Sequence, residues 1–264
     1  MTEPIPSPST PAVAWRDVRK AYPDGHQALR GVSLEVAPGE SLALLGTSGS
    51  GKTTLLKMVN RLIEPTAGEV AVRGVPTSRW DPIELRRSVG YVIQEVGLMP
   101  HLDILANVGL VLRLQGRPRA EREAVARGRL ALVGLDPGRF ARLRPHQLSG
   151  GQRQRVGVAR ALAADPDLIL MDEPFGALDP ITRRELQDEF RRLQLRLGKT
   201  VIFVTHDIRE ACRIADRLAL VDGGRLIQSG TAADFIERPA GAFVRSFFQE
   251  AEAVVAAGAE GARS

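Results

Sequence analysis

Ser41-Leu-Ala-Leu-Leu-Gly-Thr-Ser-Gly-Ser-Gly-Lys-Thr53 decides the reading of this chain. Its first five residues form an apolar run suited to a strand buried on both faces. A glycine-rich stretch follows at once. From Thr53 onward the spacing of Leu55, Leu56, Val59, Leu62 and Ile63 predicts a helix, ended by Pro65 and Gly68. Gly46 to Thr53 fits G-x-x-x-x-G-K-[ST] between a strand and a helix, the context that gives this pattern meaning. The glycines let the backbone wrap until successive N–H groups and the helix N-terminus face an anion. Gly46, Thr47, Ser48, Gly49, Ser50, Gly51, Lys52, Thr53 and Thr54 are therefore candidates to cradle nucleotide phosphates. Lys52 would reach the β- and γ-phosphates, and Thr53 would coordinate Mg²⁺. The loop alone leaves GTPases, kinases, helicases and transport ATPases open.

On the N-terminal side, Ser33-Leu-Glu-Val36 alternates ahead of a Pro38-Gly39-Glu40 turn, so an antiparallel β element is expected there. On the C-terminal side, Glu69 to Arg73 reads as a short strand. Two more buried runs, Leu168 to Met171 and Val201 to Thr205, flank a charged helix from Pro180 to Leu197. Strands alternating with helices predict an α/β fold of the P-loop NTPase kind, a mainly parallel sheet sandwiched by helices. Residues 99–164 read as helical, with breaks at Gly116-Arg-Pro118 and Gly134-Leu-Asp-Pro137. The expected organisation is a flexible Pro/Ser/Thr-rich arm over 1–12 and one domain over 13–248. A helical subdomain over about 95–164 is inserted in that domain, and an Ala/Gly-rich tail over 249–264 is expected to be disordered.

With 264 residues, 44% of them hydrophobic and 25% charged, the composition is that of an ordinary globular protein. A net charge of +5 raises the question of a nucleic-acid or anionic-membrane partner. The arginines, however, are dispersed as pairs such as Arg86-Arg87, Arg183-Arg184 and Arg191-Arg192, which reads as a solvated surface and no nucleic-acid partner. The single cysteine, Cys212, excludes an intrachain disulfide and is expected to be a buried helix residue. Apolar runs fall far short of the roughly 20 residues that span a bilayer. The first residues also lack the order of a signal peptide. The expected place is the cytoplasmic face of the membrane, reached through a partner.

Leu148-Ser-Gly-Gly-Gln152, then Arg153-Gln-Arg155, then Leu168-Ile-Leu-Met-Asp-Glu173 together resemble the ATP-binding cassette (ABC) family. The resemblance runs from about Val13 to Phe248. It includes, in the family's order, Tyr22, the glycine loop, Gln94, the 148–152 signature, Asp172-Glu173, Ala177-Leu-Asp179 and His206. Asp172, at the end of an apolar strand, is placed to hold Mg²⁺ opposite Thr53. Glu173 beside it would orient and deprotonate the attacking water. His206, at another strand end, would hydrogen-bond the γ-phosphate. Gln94 would meet Mg²⁺ or water. Tyr22 resembles the family's adenine-stacking aromatic, a surface tyrosine being the other reading.

The resemblance also implies a dimer, a homodimer or paired cassettes, with ATP at the seam. In it Leu148, Ser149, Gly150, Gly151 and Gln152 of one subunit would close on the nucleotide of the other, and Asp179 would couple the halves. Integral-membrane permease subunits are implied as partners, and an extracytoplasmic solute-binding protein indirectly.

Ile63-Glu-Pro-Thr66, Gly90-Tyr-Val-Ile-Gln94, Gly97-Leu-Met-Pro-His101 and Met171 to Thr182 look closer to one branch, the ATPases of quaternary-amine importers (glycine betaine, carnitine, choline). Asp103-Ile-Leu-Ala106 departs from that branch, where threonine and paired glutamates are frequent. Many members continue into paired CBS domains, and with the chain ending at Ser264 ionic-strength sensing by such domains is not expected. An importer for an amino acid or another polar solute is the alternative. A soluble repair or translation cassette fits less well, because no second cassette or long coiled coil is visible.

Overall fold

The computed structural model describes residues 10–249 except 95. The first nine residues of the expected arm and the tail from 250 onward lie outside the described residues.

β1 (Val13–Ala21) and β2 (Gln27–Val36) form an antiparallel hairpin. β3 (Ser41–Leu45) has the bounds expected of the buried run, and all five of its residues are buried. α1 (Lys52–Val59) stops four residues short of the expected end. Arg61 takes a left-handed φ of +54°, and Leu62 is 48% exposed, so the apolar periodicity outlasts the helix itself. β4 (Ala67–Val72) starts and ends slightly earlier than expected and, with β5 (Val75–Pro76), extends the hairpin to a four-stranded sheet in the order β2-β1-β4-β5.

α2 (Pro82–Ser88) and β6 (Val89–Val92) follow. Next come α3 (Ile104–Val108), α4 (Leu110–Leu114), α5 (Arg119–Leu132), α6 (Pro137–Phe140) and α7 (Gly150–Ala161), interrupted at the two expected breaks. The second half alternates β7 (Leu168–Asp172), α8 (Pro180–Leu197), β8 (Thr200–Val204), α9 (Ile208–Ile214) and β9 (Arg217–Asp222). β10 (Arg225–Gly230) and α10 (Ala232–Glu237) complete it. The six-stranded sheet has the order β10-β9-β3-β8-β7-β6, parallel except for the β9–β10 hairpin. The α/β expectation therefore holds, with β3 at the centre.

Period-two alternation divides that sheet between two cores. Leu42, Leu44, Leu170, Ile202 and Val204 pack with α1 residues Leu55, Leu56 and Met58 and with Trp15 and Val18 of the hairpin. Ala43, Leu45, Ile169, Met171, Val201 and Phe203 face α7, α8 and α9 through Val156, Phe190 and Ile214. α8 keeps its expected bounds because both ends carry strong signals. Asp179 accepts from Thr182 N–H, Pro180 opens the helix, and Gly198 closes it with φ +61°.

A polar clamp fastens the amino end of β3. Ser41 Oγ donates to Asp216 Oδ2 at 2.6 Å, and Arg191 reaches Asp216 Oδ1 at 2.5 Å and Ser41 Oγ at 2.9 Å. Burial pushes the Asp216 carboxyl upward, but the bonds from Arg191 and Ser41 outweigh it and hold it below its usual value. A carboxyl depressed in the fold adds stability above its unfolded pKa, about 3.9 for Asp, and loses it as pH falls through the folded value. In thermal melts, Asp216→Asn is expected to lower Tm by its full amount at pH 6 to 7. The gap to the parent protein should narrow below about pH 4.

Candidate functional site

Because β3, β8 and β7 run parallel and side by side, their carboxyl ends open on one edge, where a crevice between strand ends is the usual place for a ligand. The glycine loop leaves β3 there, Thr205-His206 leave β8, and Asp172-Glu173 end β7. Gly46 has φ +143°, and a Cβ on it would lie 1.9 Å from the Val221 carbonyl oxygen. Gly51 has φ +105°, with a Cβ position 2.6 Å from the Ala28 carbonyl oxygen. The loop is thus wedged between β9 and β2, and only glycine fits at either point. Thr47, Ser48 and Gly49 are exposed at its crest, whereas Ser50 is buried.

Lys52 folds over the inside of the loop and donates to Gly46 O at 2.9 Å and Thr47 O at 2.6 Å. Burial lowers its pKa, opposed by the charges of Glu173 and Asp172. One helical position on, Thr53 Oγ1 donates to Asp172 Oδ1 at 2.9 Å, although 119 residues separate the two. Asp172 is 6% exposed, and its other oxygen has Lys57 Nζ at 3.7 Å. Lys57 was not singled out in the sequence; it shares a helix face with Thr53, at i+4, which is the signal that could have found it.

Glu173 takes φ +44°, a left-handed conformation that non-glycine residues adopt only under constraint. Its N–H donates to Val204 O at 3.1 Å. Gln94 Nε2 donates to Glu173 Oε2 at 3.1 Å, and His206 Nδ1 lies 3.6 Å from Glu173 Oε1. The structure thus assembles Thr53, Asp172, Glu173, Gln94, His206 and the loop at one edge.

A family model for ABC transporters matches residues 29–176. The chain belongs to the ABC transporter family. The choline transport ATP-binding protein OpuBA of Bacillus subtilis is 52% identical over 88% of this chain and 60% of its own length. The glycine betaine uptake system ATP-binding protein YehX of Escherichia coli is 49% identical over 86% of this chain and 73% of its own length. The dimeric, post-hydrolysis ATP-binding cassette MJ0796 bound to ADP and Pi superposes with a TM-score of 0.74 at 38% identity, covering 83% of this chain and 98% of that one. The chain spans 58–60% of the length of several curated relatives it matches.

In this ABC protein the remaining candidates stand apart from the strand-end cluster. Tyr22 turns the β1–β2 hairpin, half-buried, with its ring stacked on His26 at 6.3 Å and Lys20 Nζ 5.2 Å from its centroid. His26 and Lys20 were missed, since stacking across a turn leaves no periodic mark. Ser149 caps α7: its hydroxyl accepts from Gln152 N at 3.3 Å, and Gln152 Oε1 accepts from Ser149 N at 2.9 Å. Leu148 is buried and Ser149 exposed. Gly150 and Gly151 let α7 approach Leu178 and Thr182, a Cβ on Gly151 falling 2.7 Å from Thr182 Cγ2. Among the described residues no hydrogen bond joins 148–152 to 46–54, so one chain does not bring signature and loop together. Asp179 is exposed. Hydrogen bonding to the Thr182 backbone N–H, first among its causes, holds its carboxyl below the usual value.

Two more arginines, Arg183 read as surface charge and Arg160 not singled out in the sequence, fasten main-chain segments near the site. Arg160 of α7 donates to the carbonyls of Gly97 and Val96, just past Gln94. Arg183 of α8 donates to Phe175 O at 3.1 Å and Leu178 O at 2.7 Å, fastening the loop before Asp179. Cys212 lies in α9 but is half-buried, not fully buried as expected. Burial and then Asp207 push its thiol up to about 11, which keeps it unreactive.

The base and the crest of the loop differ in how much a side chain would disturb them. Gly49 has φ +75° with nothing near its Cβ position, so Gly49→Ala is expected to cost about 1–2 kcal/mol in chemical denaturation and keep measurable ATP binding. Gly46→Ala must displace the β9 backbone, and should abolish binding of a fluorescent ATP analogue as well as lower stability.

Proposed function

We propose that this chain is the ATP-hydrolysing subunit of a membrane importer for quaternary amines such as choline, carnitine or glycine betaine. The observation that carries the enzymatic part is the contact of Thr53 with Asp172 beside a Glu173 already held by Gln94. Two hard oxygen donors, a hydroxyl and a carboxylate, meet beside the glycine loop. Mg²⁺ takes such oxygens together with substrate phosphates and water, so the residues fit the ion. Thr53, Asp172 and Gln94 would hold it, and it would supply charge neutralisation on the β- and γ-phosphates.

The chain's own groups divide the reaction. The loop N–H groups and Lys52 bind the phosphates, for which Lys52 must leave the Gly46 and Thr47 carbonyls it now contacts. Glu173 accepts a proton from the water whose oxygen attacks the γ-phosphorus, as the bond to the ADP oxygen breaks. Gln94 and His206 flank both Glu173 oxygens and keep that carboxylate aimed. Tyr22 offers a flat face for adenine once His26 yields. Ser149, Gly150, Gly151 and Gln152, at the amino end of α7, would bind the γ-phosphate held by a second subunit, closing two ATP in a dimer with Asp179 at the seam. The helices between Gln94 and β7 form the subdomain that meets the permease. No helix among the described residues is long and apolar enough to cross a membrane, which suits a subunit held there by its permease.

The cargo rests on the functions of the relatives, choline transport and glycine betaine uptake, at about half identity. It is tested on the partner solute-binding protein. Choline, carnitine or glycine betaine should raise its melting temperature; stabilisation by amino acids instead would replace the quaternary-amine reading with the amino-acid one. For the enzyme, Glu173→Gln is expected to bind ATP, to turn over about 10²-fold or more slower, and to run as a dimer in ATP by light scattering. Normal turnover by that variant would remove Glu173 from the role of base.

A further inference from the structure

Behind the strand-end cluster lies a second buried carboxyl that the proposed reaction does not use. Glu210, in the first turn of α9, is 4% exposed. Its Oε2 accepts from Gln187 Nε2 of α8 at 3.1 Å, and its Oε1 is buried without a partner. Gln187 is itself 5% exposed, so the bond is a buried tie between α8, the helix behind Asp179, and α9, the helix behind His206. Glu210 also lines a cavity of about 30 Å³ shared with Glu173, Gly176, Arg183, Thr205, His206 and Asp207, large enough for one water.

We propose that Glu210 is a proton-sensitive positioning residue: neutral, it leaves Arg183 clamped on the loop that carries Asp179; ionised, it competes for Arg183 and loosens that loop. The charged and titratable groups around it are few. Asp207 sits on its own helix cap, and Glu173 and His206 line the cavity. Arg183 faces it from α8, and one turn further along Arg213 is already paired with Asp188 at 2.8 Å. Among the described residues lining the cavity Arg183 is the one arginine or lysine, and its guanidinium is committed to the Phe175 and Leu178 carbonyls. The loop it holds also touches the catalytic candidate, since a Cβ on Gly176 would stand 3.7 Å from Glu173 Oε2.

Burial, then the Asp207 charge, push the Glu210 carboxyl up to about 7, against the hydrogen bond from Gln187 and the charge of Arg183. Its exchange of proton therefore falls in the neutral range, where a small energy decides the state.

This inference rests on the ATPase reading, and two measurements separate them. The first is kcat of the full chain and of Glu210→Gln, which mimics the neutral carboxyl, from pH 6 to 8. The ratio of parent to variant cancels whatever pH dependence the two proteins share. It is expected to fall by about threefold or more as pH rises, with a midpoint near 7 and the KM for ATP of the two proteins alike. A ratio that stays level while both proteins turn over would overturn the proposal.

The second needs no turnover. A carboxyl raised in the fold gives stability present below its unfolded pKa and lost as pH climbs to the folded value. The Tm of the parent minus that of Glu210→Gln should therefore fall from pH 5 to 7 and then level off; a pH-independent difference would overturn the proposal even if ATPase is absent. Gln187→Leu removes a bond that favours the charged form. It is expected to move both midpoints above 7, and unmoved midpoints would count against the tie.

Discussion

A carboxylate buried at the end of a parallel strand is costly unless something meets its charge, and Asp172 is met twice, by the Thr53 hydroxyl and the Lys57 ammonium. Both partners stand on α1. That helix must therefore begin where the glycine loop ends and lie against β7, which requires the loop to leave β3 with β8 between the two strands. The crossover order β3-β8-β7 is thus a condition for satisfying one buried charge. The same order also brings His206, from the strand in between, to the same edge.

Opposite that edge the clamp of Ser41, Asp216 and Arg191 anchors the start of β3. With both ends of the central strand fastened, strain can be tolerated at the end of β7, one strand beyond β8. Glu173 keeps φ +44° because its N–H is tied to Val204 O and its carboxylate to Gln94. The conformation leaves the Glu173 carboxylate between Gln94 and His206 at the strand ends. Local strain and global rigidity are in this sense one design.

What the sequence shows clearly is what short-range pattern encodes. The apolar run of β3, the glycine loop, and the Asp179-Pro180 and Gly198 signals of α8 are readable because each acts on its own few residues. The end of α1 is not readable. Leu62 and Ile63 continue the periodicity, but Arg86 of α2 donates to the carbonyls of Asn60 and Arg61 and takes over where the helix stops. Arginine is the general case: Arg86 and Arg183 read as solvated charge in the sequence and Arg160 was not singled out, yet each gives its guanidinium to main-chain carbonyls, Arg86 and Arg160 to segments distant in sequence and Arg183 to the loop just before its own helix. Glu210 was invisible for a similar reason, since helical spacing gives no hint that its carboxyl would be buried against α8.

Arg160 also ties the segment after Gln94 to α7, the helix that Ser149 caps. Gln94 touches Glu173; Val96 and Gly97, two and three residues later, are held through their carbonyls by Arg160 of α7. The fit is close, because a Cβ on Gly157 of the same helix would lie 2.5 Å from Val96 Cγ1. A displacement of Gln94 must either strip a largely buried guanidinium of its acceptors or carry α7 with it. The first costs on the order of 1.5–3 kcal/mol for each charged hydrogen bond. The second breaks none of them, so the lower-energy response is for α7 to move as a body, with Ser149 at its leading end. Two contacts, Gln94 with Glu173 and Arg160 with Val96 and Gly97, thereby join the strand-end cluster to α7 through one contiguous path of bonded groups, the kind of connection that coupling between sites needs.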